Sequence, residues 1–152
     1  MRRKSAVVVA AMTAEGKFIL IRQERIPIRQ VIWEMPAGQV DELCDTTSFS
    51  DVALRELREE TGYELTRGGN TIFLGDFFSS PGFTDEHEFL FLAHPVQRAP
   101  LAQAHTEAES IVECREFCAQ EITDMIAQGI IRDANTLSTW ARLLARKIIS
   151  VD

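Results

Sequence analysis

No stretch of this chain approaches the roughly 20 continuous apolar residues that a membrane-spanning helix needs, so nothing in the sequence reads as a bilayer anchor. Positive charge is also short. Sixteen Lys and Arg against 23 Asp and Glu leave a net charge of −7, which argues against non-specific binding to nucleic acid or to an anionic membrane surface. An anionic ligand would therefore have to be met through bound cations. Cysteine is scarce and odd in number: Cys44, Cys114 and Cys118 show no disulfide-framework spacing, which favours a reducing, cytoplasmic setting. Cys114 and Cys118 could offer two zinc ligands, but none of His87, His94 and His105 stands at a finger-like distance from them, so a structural role is the better reading. Repeats, low-complexity tracts and linkers are absent, and 152 residues suit a single domain, residues 1–152, with a core of its own. The basic start Met1-Arg2-Arg3-Lys4 imitates a signal peptide, yet the apolar run Ala6 to Met12 soon meets Glu15 and Lys17, as a first strand would.

What is present begins as antiparallel sheet. Ala6 to Met12 and Phe18 to Ile21 are β-rich runs around the turn Thr13-Ala14-Glu15-Gly16. A helix is predicted over Ser48 to Thr61, with Ser48 and Asp51 at capping-box spacing, Val52, Leu54 and Leu57 apolar, and Gly62 as a C-terminal stop. Thr71 to Phe78, Glu88 to Ala93 and Ile111 to Phe117 read as further strands. Two helices follow, one over Glu121 to Gln128 and a longer one from about Asp133, with Leu137, Trp140, Leu144 and Ile148 along one stripe. The class is α/β, one mixed sheet covered by helices.

Chemistry enters with Arg55-Glu56-Leu57-Arg58-Glu59-Glu60-Thr61-Gly62-Tyr63. A helix puts Glu56 and Glu60 one turn apart on one face, where like charges repel. A hard divalent cation held by carboxylate oxygens offsets such repulsion; a solvated face with ordinary i, i+4 pairs such as Arg55 with Glu59 is the bland alternative. The segment resembles the second half of the Nudix box, and Trp33-Glu34-Met35-Pro36-Ala37-Gly38 resembles the strand and loop that precede it. Arg55 follows Gly38 by seventeen positions rather than the pattern's fourteen, Cys44 stands where its first glutamate belongs, and counting back from Arg55 reaches Thr47. Glu42 is the nearest carboxylate to that gap.

Further segments resemble the ADP-ribose pyrophosphatase branch of the Nudix hydrolases: Ser80-Pro81-Gly82-Phe83-Thr84-Asp85-Glu86, Glu107-Ala108-Glu109-Ser110-Ile111-Val112, and Gly129-Ile130-Ile131-Arg132-Asp133-Ala134. The resemblance implies the Nudix fold, an α/β/α sandwich on a mixed sheet, and cleavage of a nucleoside diphosphate derivative by metal-activated water. ADP-ribose, giving AMP and ribose 5-phosphate, is the leading substrate. Another nucleotide sugar, a dinucleoside polyphosphate, or a sensor without turnover are the alternatives. The implied metal is Mg2+, with Mn2+ as a substitute, held by Glu56, Glu60, Glu109 and the Ala37 carbonyl. Glu107 is the first choice of base and Glu86 the second, with Glu59 as a further ligand or neighbour of the catalytic set. Arg25, in the segment Arg22-Gln23-Glu24-Arg25, and Trp33 are candidate substrate contacts, and a homodimer is the implied assembly. His87 near the proline-containing loop reads as a surface residue.

Overall fold

The computed structural model describes residues 3–40, 48–100 and 110–151. A seven-stranded sheet forms the middle layer. Strand β1 (Ala6–Thr13) turns at Gly16, whose φ of 81° is one that glycine adopts without strain, into β2 (Lys17–Arg25). A 3-10 turn (Ile26–Ile28) leads to β3 (Gln30–Glu34), and β4 (Ala37–Gln39) follows Pro36. Helix α1 (Phe49–Thr61) passes directly into β5 (Tyr63–Phe78), which pairs antiparallel with β6 (His87–Arg98). Strand β7 (Ile111–Cys118) runs into α2 (Ala119–Ala127), and α3 (Ala134–Ala145) follows.

The strand order is β3-β2-β1-β6-β5, with β4 added to β1 and β7 to β2. β1 and β6 run parallel and their other partners antiparallel, so the sheet is mixed as expected. The run of apolar residues in β1 follows from burial on both faces. Val7, Val9 and Ala11 pack on α1 through Val52, Ala53 and Leu57, while Val8 and Ala10 join Ile122, Trp140 and Leu143 from α2 and α3. That is an α/β/α sandwich.

Several boundaries differ from the sequence reading. β2 extends to Arg25, β5 starts at Tyr63 and β6 reaches Arg98, because cross-strand pairing carries charged and glycine residues that local propensity assigns to loops. β3 and β4 are hidden from periodicity by Pro27 and Pro36, which flank short strands. α2 begins at Ala119, capped by Cys118 with Glu121 closing the box. α3 stops at Ala145, so Ile148 lies beyond it, and Trp140 and Leu143 are its deepest large residues while Leu137 and Leu144 are half-buried.

Candidate active site

Ser48 caps α1 by accepting from the Asp51 N–H at 3.2 Å, and Gly62, with φ 77°, ends it. Burial of Val52, Ala53, Leu57 and Thr61 fixes the helix's rotation. Glu56 and Glu60 thereby flank the buried face and point toward β4. The Ala37 N–H donates to Glu60 Oε2 at 3.3 Å, and a methyl on Gly38 would overlap the Glu56 carboxyl, so glycine there is what lets the carboxylate lie against the strand.

This packing strains the charges. Burial, then the neighbouring Glu56, pushes the Glu60 carboxyl up to about 8, against the opposing pull of the Ala37 N–H. Arg55 draws on both sides, 3.7 Å from Glu56 and 3.9 Å from Glu59, and Glu59 stays substantially exposed. Beneath them Glu34, 3% exposed, receives Arg25 in a fork at 2.8 Å and 2.5 Å. Burial raises the Glu34 carboxyl and Arg25 holds it back. A pair of close carboxylates in a partly dry setting is a donor set that a hard divalent cation fits, since the ion would remove the repulsion that now raises Glu60. Among the described residues no three His, Cys, Asp or Glu side chains close into a metal-holding group; Glu109 and Glu107, expected as ligand and base, lie outside the described residues, as do Glu42, Cys44 and Thr47.

Glu86, the second expected base, sits in the turn between β5 and β6. Phe83 and Thr84 donate N–H bonds to the Ser80 carbonyl, and Glu86 takes Ser79 Oγ at 3.3 Å and Arg3 at 3.6 Å. A cavity of about 240 Å³ runs between this turn and β4, with Glu86, Ala37, Gly38 and Arg25 in its walls. The structure therefore brings Glu86 and Arg25 to the same hollow as the Ala37-Gly38 strand. It places Trp33 elsewhere: the indole packs edge-on to Phe117 at 5.1 Å, with Arg115 over its ring at 5.3 Å. His87 stacks between Phe78 and Phe89 and pairs with Asp76. Two buried carboxylates were passed over by sequence reasoning, Glu34 and Glu88. For Glu88 a signal existed, since it shares the parity of Leu90 and Leu92 and must face inward with them.

A family model described as NUDIX domain matches residues 1–139. An ADP-ribose pyrophosphatase of Bacillus subtilis (strain 168) is 32% identical over 139 residues, covering 90% of this chain and 70% of that protein. A methanol dehydrogenase activator of Bacillus methanolicus is 34% identical over 137 residues with the same coverage, 90% and 70%. Among solved structures, one described as an ADP compounds hydrolase superposes with a TM-score of 0.77 at 18% identity, over 95% of this chain and 75% of that one. At that identity the likeness concerns the fold.

Proposed function

This chain belongs to the NUDIX domain family and is a Nudix hydrolase, and from that premise we propose that it cleaves the diphosphate of a nucleotide sugar, ADP-ribose first, into AMP and ribose 5-phosphate. The observation that carries the proposal is the Glu56–Glu60 pair of α1 pressed against Ala37 and Gly38, beside a cavity that could seat one half of such a substrate. The 32% identity to an ADP-ribose pyrophosphatase supports the choice of substrate.

Nudix hydrolases generally use divalent metal ions. In this reading Mg2+, or Mn2+ in its place, would be held by Glu56, Glu60, Glu109 and the Ala37 carbonyl, with Glu59 adjoining. When bound, the metal supplies charge neutralisation for the diphosphate and acidity for water. The chain's own residues do the rest. Glu107, or Glu86 if its turn closes on the substrate, takes the proton from the attacking water. A new P–O bond forms from the water oxygen, the anhydride P–O bond breaks, and the electron pair leaves with the second phosphate. Arg55 holds Glu56 and Glu59 in place by charge. Cys114 and Cys118 are free thiols, in keeping with a cytoplasmic location, and a homodimer completes the proposal.

The test is a substrate panel. Purified protein with ADP-ribose, other nucleotide sugars and dinucleoside polyphosphates, with Mg2+ or EDTA, should release AMP and ribose 5-phosphate from ADP-ribose only with metal. Faster cleavage of a dinucleoside polyphosphate would displace the substrate assignment; binding without any cleavage would favour a sensor.

A further inference from the structure

The segment from Glu34 to Gly38 contains the backbone on which the proposed metal site depends, and its anchors come from several elements. Arg25 of β2 forks Glu34. The Pro36 carbonyl accepts the Val9 N–H of β1 at 2.9 Å, and the Ala37 N–H goes to Glu60 of α1. Proline has no N–H, so the Met35 N–H is the last backbone donor before Ala37, and Met35 is 1% exposed. That N–H donates to the Thr136 hydroxyl at 2.9 Å, across 101 positions of sequence.

Thr136 stands in the first turn of α3. Asp133 caps the helix by accepting the Thr136 N–H at 3.0 Å, and the same carboxylate oxygen takes the Thr136 hydroxyl proton at 2.7 Å. A hydroxyl has one proton to give. With that proton committed to Asp133, the oxygen turns its lone pairs to Met35 and serves as an acceptor. The cap itself needs only the N–H bond, so the bridge to Met35 is an addition that α3 does not require. Asp133 is also close enough for its charge to act on Arg25 and Glu34, which places the cap beside the site. Thr139, one turn further along α3, shows what a merely structural threonine looks like here. It is fully buried as Thr136 is, but its hydroxyl donates to the Asn135 carbonyl at 2.7 Å and so bonds within its own helix.

We propose that Thr136 is a positioning residue for the hydrolase: held by Asp133, its hydroxyl sets the Met35–Pro36 link and thereby the Ala37 carbonyl against Glu56 and Glu60. The inference rests on the hydrolase reading and adds to it that the start of α3, across the sheet from α1, helps to build the metal site. Without the hydroxyl, a buried N–H loses its acceptor and the link turns to find another. Ala37 lies two residues on and moves with the link, while Glu56 and Glu60 stay where α1 holds them.

The experiment compares wild type with Thr136→Val, Thr136→Ser and the control Thr139→Val. Mn2+ affinity is read by electron paramagnetic resonance of the free ion in protein without substrate, ADP-ribose cleavage is followed in saturating Mg2+, and thermal melts report folding. In Thr136→Val the Mn2+ Kd should rise about tenfold, and kcat should fall about thirtyfold with KM within about threefold. Thr136→Ser keeps the hydroxyl and should restore both to within about threefold of wild type. Thr139→Val should lower the melting temperature and leave Mn2+ affinity and kcat unchanged. If Thr136→Val does not fold, Thr136→Ala takes its place in the same comparison. Equal losses in Thr136→Val and Thr139→Val, or no recovery in Thr136→Ser, would overturn the positioning role. Mn2+ binding that depends on Thr136 in a protein that cleaves nothing would uphold it and sink the hydrolase reading. Wild type that neither binds Mn2+ nor cleaves would remove both.

Discussion

Arg25 shows how a residue reached through family resemblance acquires a different physical meaning in the fold. Its guanidinium is committed to Glu34 by a two-toothed pair at 2.8 Å and 2.5 Å, and Glu34 is nearly fully buried. Removing one member leaves a charge in the interior with no partner, which typically costs about 3–5 kcal/mol; because Arg25 is half exposed, about 2–4 kcal/mol is the expectation for Arg25→Met. Chemical denaturation would measure it, and an unchanged midpoint would show that Glu34 goes neutral or finds water instead. The carboxylates of α1 were legible in the sequence because their spacing reports a shared helix face. Glu34 was not legible as a site group, since its significance comes from burial, a tertiary property, whereas the inward parity that Glu88 shares with Leu90 and Leu92 could be read along β6. Trp33 illustrates the converse: beside the box in sequence, it is turned by β3's pairing with β2 toward Phe117 and Arg115.

At the scale of elements, α1 and β4 form one working unit. The capping box and Gly62 made the helix visible to within a residue, whereas β4 is three residues long and follows a proline, too short for any periodicity to register. Yet β4 decides the site, because Gly38 gives the Glu56 carboxyl its place. In Gly38→Ala the methyl displaces the flexible end of Glu56 rather than backbone, so stability should move by less than about 1 kcal/mol. Activity should fall by about a hundredfold or more, since misplacing a catalytic group by an ångström has that scale of effect. Loss of fold with loss of activity would mean that the strand, not the carboxylate, yields. The late helix shows another limit of pattern reading. α3 is fastened to β5 by Arg142, which donates to the Leu74 and Asp76 carbonyls, and by Arg146, which donates to the Phe73 carbonyl. Gly75, at φ 115°, leaves the space that Arg142 fills, a long-range fit that no local signal encodes.

Across the whole molecule, buried acid couples the site to stability. Glu60 and Glu88 are both pushed up to about 8, chiefly by burial. With folded values above unfolded ones, the native state binds the extra protons, so their contribution is full below the ordinary carboxylate range and is lost as pH rises through about 8. In EDTA the melting temperature should therefore fall between pH 6 and pH 9 by roughly 5 °C more than in a Glu60→Gln, Glu88→Gln double variant. Mg2+ at the alkaline end should restore part of the loss in the wild type, because an ion binds the deprotonated pair; parallel melting curves for the two proteins would contradict this. The sandwich itself followed from one mixed sheet and three helices, because burial on both faces of β1 demands cover on both sides. The central claim is that the paired glutamates of α1 carry metal-dependent cleavage of a phosphoanhydride. Its most direct test is the rate of AMP release from ADP-ribose in Mg2+ by wild type and by folded Glu60→Gln. The account predicts turnover in the wild type and a loss of about a thousandfold or more in the variant, several kcal/mol of barrier; equal rates in the two proteins would contradict it.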